Sequence, residues 1–174
     1  GNLVKKVAFP CELLPVPVII VAGIVYLVSS VVLLSVGWPL GWIAPDWRLA
    51  LWPVVILVEA TFVLGFGMIL ANLYVFSRDL SHLYGVVSMA WFFVSPIFVQ
   101  PQMFTNKLGE TFGSLVQWNP MWSVVMVNRH VFGAPGTIDP VWTDLGVASL
   151  WAAIFFIIGY GTFVASKHKY ADLV

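Results

Sequence analysis

From Leu13 to Pro45 the chain carries no charged side chain. About 20 mostly apolar residues suffice for a helix to cross the hydrocarbon core of a bilayer. This stretch therefore commits at least one helix to a membrane. Composition extends the point to the whole molecule: 60% of residues are hydrophobic and only 9% are charged, against about 25% charged in an average soluble domain. The formal net charge is zero, which offers no basic surface to nucleic acid. A single cysteine, Cys11, excludes an internal disulfide framework. The first apolar run ends in no small-residue cleavage site, so it does not read as a secretory signal. The opening, without Met, reads as the middle of a longer chain.

Hydropathy predicts an all-helical integral membrane bundle with four spans. The first runs from about Val16 to Val36 and ends at "GWPLGW". The second runs from about Leu49 to Tyr74 and contains Glu59, the third from about Leu83 to Phe98, and the fourth from about Leu145 to Ala165. As domains, residues 1–15 are a cytoplasmic segment, 16–99 hold three spans, 100–144 are extracytoplasmic, 145–166 form the last span and 167–174 a tail. Four spans put both ends on one side. Lys5, Lys6, Arg78, Lys167 and Lys169 share that side, and Arg48, Lys107 and Arg129 fall on the other. The excess of basic residues makes the termini cytoplasmic. Trp38, Trp42, Trp47 and Trp52 cluster at the opposite end of the first hairpin, as tryptophans do at headgroup level.

Residues 100–144 are too polar to span. In "NPMWSVVMVNRHVFG", Asn119 is a natural N-cap, Pro120 suits the first helical position and Gly133 is a stop. With Leu108, Phe112, Leu115 and Val116 at helical spacing before it, the region predicts two short helices, re-entrant or lying in the outer interface.

The opening "NLVKKVAFPCELLP" pairs Leu3 with Val7 and Val4 with Ala8 on one helical face, with Lys5 and Lys6 on the other. Pro10 biases Phe9 away from helical geometry. An amphipathic cytoplasmic helix of this size suits the groove of a partner protein; equally, its lysines suit lipid headgroups.

Four segments add a family resemblance. "LVKKVAFPCELLP" is similar to the "KKVxFPxELLP" segment of type-2 ABC exporter permeases, in the branch that exports polysaccharides such as O-antigen, teichoic acid and capsule. "SRDLSHL" resembles the family's "RDxxHL" element, and "SPIF" and "WNPM" resemble its "SPIxY" and "NP" elements. They occur in family order and cover nearly the whole chain. The resemblance implies a bacterial cytoplasmic-membrane permease that works as a homodimer with nucleotide-binding ATPase subunits. ATP and Mg would be bound by the partner, and this chain would hold no cofactor or metal. It would be the later part of a six-span permease. Residues 2–14 would be the coupling helix, with Lys5, Lys6, Phe9, Pro10 and Glu12 contacting the ATPase. The stretch from about Met103 to Gly133 would form the outer gate. Cys11 stands where the family usually has arginine, and Val99 where it has the tyrosine of "SPIxY", so neither family role carries over.

Other residues are weighed on their chemistry. Arg78, Asp79 and His82 follow the second span. Asp79 is placed to cap the third span against the helix dipole, and the resemblance adds a cytoplasmic entry lip or brace. Glu59 lies mid-span, where a carboxylate costs about 2.5 kcal/mol or more by insertion scales. It must face a cavity, another helix or the dimer seam, as a conduit group or as a bonded acid. Tyr84, Ser88 and Trp91 share one helical face and are candidates to line a conduit, where aromatic faces stack on sugar rings; lipid contact is the plainer alternative. Pro96, Pro101, Asn119 and Pro120 mark the break into the outer gate. There is no GxxxxGK[ST], HExxH, Cys/His cluster or nucleophile elbow, so no catalytic residue is assigned. The reading is a permease moving polysaccharide or lipid-linked glycan outward. Its rivals are a permease of the same fold for a drug or lipid, and a membrane-embedded enzyme or scaffold for lipid-linked sugars.

Overall fold

The structure, a computed structural model, describes residues 16–77, 79–97, 101–103, 116–137 and 140–173. The segment with Lys5, Lys6, Phe9, Pro10, Cys11 and Glu12 lies outside the described residues, as do Arg78 and the stretch 104–115 with its expected first gate helix.

Helix α1 spans Val16–Gly37. It ends in a turn where the Trp42 amide donates to the Gly37 carbonyl at 2.9 Å. Asp46 then caps a short 3-10 turn, Trp47–Leu51, by accepting from the Arg48 amide. Helix α2 follows directly at Trp52–Phe76, with proline in its first turn, where a missing N–H costs nothing. Helix α3 is Leu80–Val94, α4 is Pro120–Val131 and α5 is Val141–Leu173. Among the described residues three helical stretches are long and apolar enough to cross a membrane: Ile19–Gly37, Trp47–Tyr74 and Val141–Ser166. Helix α5 continues through the segment expected to be a separate tail.

The expected third span is shorter than its apolar run. Helix α3 has 15 residues, about 22 Å at 1.5 Å per residue, less than a hydrocarbon core of about 30 Å. It stops because Ser95 is extended, at ψ 146, the geometry that a following proline imposes. Helix α4 starts beside this stop: the Asn119 amide group donates to Ser95 Oγ at 3.2 Å. Its other end reaches the loop after α1, where the Ala44 amide donates to the Gly133 carbonyl at 3.0 Å. Helix α4 is thus a separate short helix, as expected, held at one end to the stop of α3 and at the other to the loop after α1.

The largest helix contact is between α2 and α5. At their crossing, a Cβ on Gly65 would overlap the Phe155–Phe156 backbone, and one on Gly159 would overlap the Gly65 carbonyl. Small residues permit this approach, and lipid tails favour it, because association there rests on van der Waals packing. Phe62, Phe66 and Phe155 close the crossing edge to face, with ring centroids 5.0 and 5.5 Å apart for the two pairs involving Phe155. Above it a buried cluster of Val55, Val127, Val131, Phe132 and Ala148 joins α2, α4 and α5.

Replacing Gly65 or Gly159 with alanine is therefore expected to destabilise the protein by about 1–3 kcal/mol or more. Gly146→Ala and Gly161→Ala, where an added Cβ meets nothing within 4 Å, should leave stability unchanged or raise it. Thermal melting of the purified protein in detergent checks the contrast.

Candidate functional site

The polar residues of the bundle converge on the last turn of α4. Asn128, Arg129 and His130 are consecutive, so their side chains leave the helix about 100° apart. Each must find a partner in surroundings poor in water, and each finds a different one.

Asn128 points into the bundle. Its amide group donates to Glu59 Oε1 and, at 2.9 Å, to the Val124 carbonyl. Its carbonyl oxygen accepts from the Tyr26 hydroxyl at 2.6 Å. One side chain thus joins α4 to both α1 and α2. Glu59 lies two turns inside α2, so α4 is inserted between the spans. Trp122, Ser123, Met126 and Val127 are buried accordingly. Tyr26 and Glu59 also line a cavity of about 150 Å³ between α1 and α2.

Arg129 points toward the end of α3. Its guanidinium donates to the Pro96 carbonyl at 2.9 Å and to the Pro135 carbonyl at 3.0 Å. It thereby ties the turn after α3 to the loop after α4. Partial burial lowers its pKa from the usual arginine value, but an arginine remains charged. His130 points to α5. Its Nε2 lies 3.0 Å from Asp144 Oδ2, both residues being buried at 3% and 5% exposure. Its Nδ1 lies 3.4 Å from Arg48 Nη1, and Arg48 in turn lies 3.5 Å from Asp46.

The opposite end of α4 joins a second site. Asn119 caps α4 by accepting from the Met121 amide at 3.1 Å, and it also accepts from the Trp91 indole. Trp91 packs edge-on against Phe66, centroids 5.6 Å apart. Tyr84, Ser88 and Trp91 line a groove of about 260 Å³ with Phe62, Phe66 and Met121. The face expected from helical spacing therefore exists as one surface. Glu59, expected in the same lining, is not part of it; it belongs to the Asn128 network nearer the start of α2. The separation is axial, since Glu59 and Phe66 are seven residues apart on one face, about 10 Å along the helix. Pro96 and Pro101 are fully buried, and Pro120 takes the first turn of α4. Asp79 occupies the capping position of α3 but its carboxylate accepts no capping bond, because its backbone is already in the right-handed helical region and does not aim the side chain at the free amides. His82 sits one turn into α3, its amide bonded to the Asp79 carbonyl at 3.1 Å, with its side chain exposed.

Sequence reading treated Arg48 and Arg129 as charges that orient the chain and missed them as partners, and it missed Tyr26, Asn128 and Asp144. The available signal was the run Asn128-Arg129-His130 within an otherwise apolar helix, which demands three separate partners.

Taken together these features define a helical membrane protein in which a short helix is held among the longer ones by polar contacts. The chain is 30% identical over 87% of its length to the O-antigen export system permease protein RfbA of Myxococcus xanthus. It is 23% and 24% identical, over its whole length, to two proteins of the same name from Klebsiella pneumoniae. The chain is thus a homologue of O-antigen export permeases, the polysaccharide-exporting kind of ABC-2 permease. It spans 59% of the Myxococcus protein and 64% of each Klebsiella protein. No family model matches it, and no solved structure does.

Removing the Asn128 side chain takes from Glu59 its donor and from the Tyr26 hydroxyl its acceptor. Asn128→Ala should cost about 1–3 kcal/mol. Glu59→Gln keeps an acceptor for Asn128 and should cost less. Unfolding of both variants in detergent, compared with the parent, gives the order.

Proposed function

We propose that this chain acts in a permease subunit of an ATP-driven exporter that moves polysaccharide or lipid-linked glycan out across a bacterial cytoplasmic membrane. The observation that carries the reading is the 30% identity to an O-antigen export permease over 87% of the chain. The structure supports it with a helix path broken between α3 and α4 and an aromatic groove beside the break. Broken helices within membranes occur where backbone lines a cavity or a transport path.

In this reading the Trp-rich end, with α4, faces outward, and Lys5 and Lys6 face the cytosol. A nucleotide-binding subunit holds ATP and Mg, and a second permease copy completes the path. Lys5, Lys6, Phe9, Pro10 and Glu12 touch the ATPase, with Phe9 as apolar anchor, since buried aromatics dominate many interfaces. Closure of the ATPase pair pushes this segment, and the strain reaches the turn at Pro96 and Pro101 and the cap at Asn119 and Pro120. Those residues flank the point where α3 gives way to α4, so movement there opens or closes the outer end. Arg78, Asp79 and His82 form the cytoplasmic lip. Tyr84, Ser88 and Trp91 offer the polymer flat faces with weak directionality, which lets it slide. Tyr84 and Phe92 are exposed on this face, which favours sugars over a narrow apolar conduit for a drug.

Cys11 gives a direct test. A membrane-impermeant thiol reagent should label it in inside-out vesicles and not in intact cells, in a full-length permease with no other cysteine. The cognate ATPase should block the labelling. Labelling from outside would overturn the orientation, and labelling that the ATPase never blocks would remove the coupling role. In the groove, Trp91→Phe keeps a ring and should retain most export. Trp91→Ala should lose about tenfold, equivalent to about 1.4 kcal/mol, as measured by polymer reaching the cell surface.

A further inference from the structure

We propose that the chain of side chains Asp46–Arg48–His130–Asp144 is a proton-operated latch between the loop after α1 and helix α4. The argument begins with what arginine can do. A guanidinium donates hydrogen bonds and never accepts them. The 3.4 Å contact from Arg48 Nη1 to His130 Nδ1 therefore requires a lone pair on Nδ1. The ring proton then sits on Nε2, which donates to Asp144 Oδ2 at 3.0 Å. In this form the row reads negative, positive, neutral, negative, and His130 bridges Arg48 on the loop side to Asp144 on α5.

Protonation changes one contact in the row. A proton on Nδ1 faces the Arg48 donors with a donor, and sets two positive groups against each other. Both have another partner at hand. Histidinium keeps Asp144, and Arg48 keeps Asp46 at 3.5 Å. The row divides into two ion pairs and parts between Arg48 and His130, the seam between loop and helix. The other charged groups nearby do not take over. Arg129 is committed to the Pro96 and Pro135 carbonyls, and Glu59 lies deeper, bonded to Asn128. The stretch before Trp47 is then held to α4 by the bond from the Ala44 amide to the Gly133 carbonyl, at 3.0 Å, while Leu49 and Leu51 stay packed on the buried cluster around Val131 and Phe132. Gly133 stands at φ 64, and its lack of a Cβ is what admits the Ala44 carbonyl. Histidine is the side chain whose charge ordinarily changes between about pH 5 and 8, so acidification loosens the stretch from Ile43 to Arg48. That the latch faces the outer medium rests on the orientation proposed above; the latch itself does not.

Hydrogen exchange of the full-length permease in detergent tests this without any transport assay, so its failure is distinct from failure of the exporter reading. The readout is the peptide covering Ile43 to Arg48, with rates normalised to those of an unstructured peptide at each pH. In the parent, normalised exchange should be about tenfold faster at about pH 5.5 than at about pH 8. His130→Gln supplies a donor for Asp144 and an acceptor for Arg48 with no charge at either pH, and should change by less than about twofold. Arg48→Gln leaves the buried His130–Asp144 pair intact and removes the repelled cation. It should likewise lose the pH response, and it decides the matter if the first variant does not fold. Equal normalised protection of the parent at both pH values would falsify the latch. So would an acid-induced loss in Arg48→Gln as large as in the parent.

Discussion

The approach of α2 and α5 at Gly65 and Gly159 fixes the frame in which everything else is arranged. With no side chain between them, the two backbones touch, and the aromatic residues that would otherwise separate the helices are displaced to the flanks. Phe62, Phe66 and Phe155 gather on one side and become the wall against which α3 lays Trp91 and Tyr84. Nearer the Trp-rich end α4 packs its Val127 and Val131 onto Val55 of α2 and Ala148 of α5. The groove and α4 are thus both built on this pair of helices.

Helix α4 solves a second problem. A short helix placed among spans has few turns over which to bury apolar surface, so its position has to be fixed by directional bonds. Asn128, Arg129 and His130 supply them in three directions, to α1 and α2, to the end of α3, and to α5 with the Asp46–Leu51 turn. Where water is scarce an unmade hydrogen bond costs more than the net gain from a made one. Such contacts therefore act less as glue than as a specification of where the helix sits.

Much of this was readable from sequence where the signal is local. The uncharged run from Leu13 to Pro45 yielded α1, and the Asn119, Pro120 and Gly133 punctuation located α4 within its observed bounds. The spacing of Tyr84, Ser88 and Trp91 put them on one face. The break after the third helix was legible at Pro96, and the helix ends at Val94, a few residues short of the expected Phe98, because Ser95 before the proline is already extended. Glu59 was correctly seen to need a partner, and its partner was out of reach, since nothing local links it to Asn128 69 positions away.

The division between the two kinds of information has a physical basis. Transfer into hydrocarbon, helix capping and proline sterics act over a few residues, so sequence by itself determined that this is a helical membrane protein and which stretches its helices occupy, to within a few residues except at the end of α5. Homology, also written in sequence, related it to the O-antigen export permeases. Which helices touch, which polar groups satisfy one another, and that Glu59 bonds Asn128 outside the aromatic groove were decided only by tertiary structure. Those outcomes depend on the rotation of each helix about its axis. The crossing at Gly65 and Gly159 sets that rotation for α2 and α5, and their faces then set it for α4.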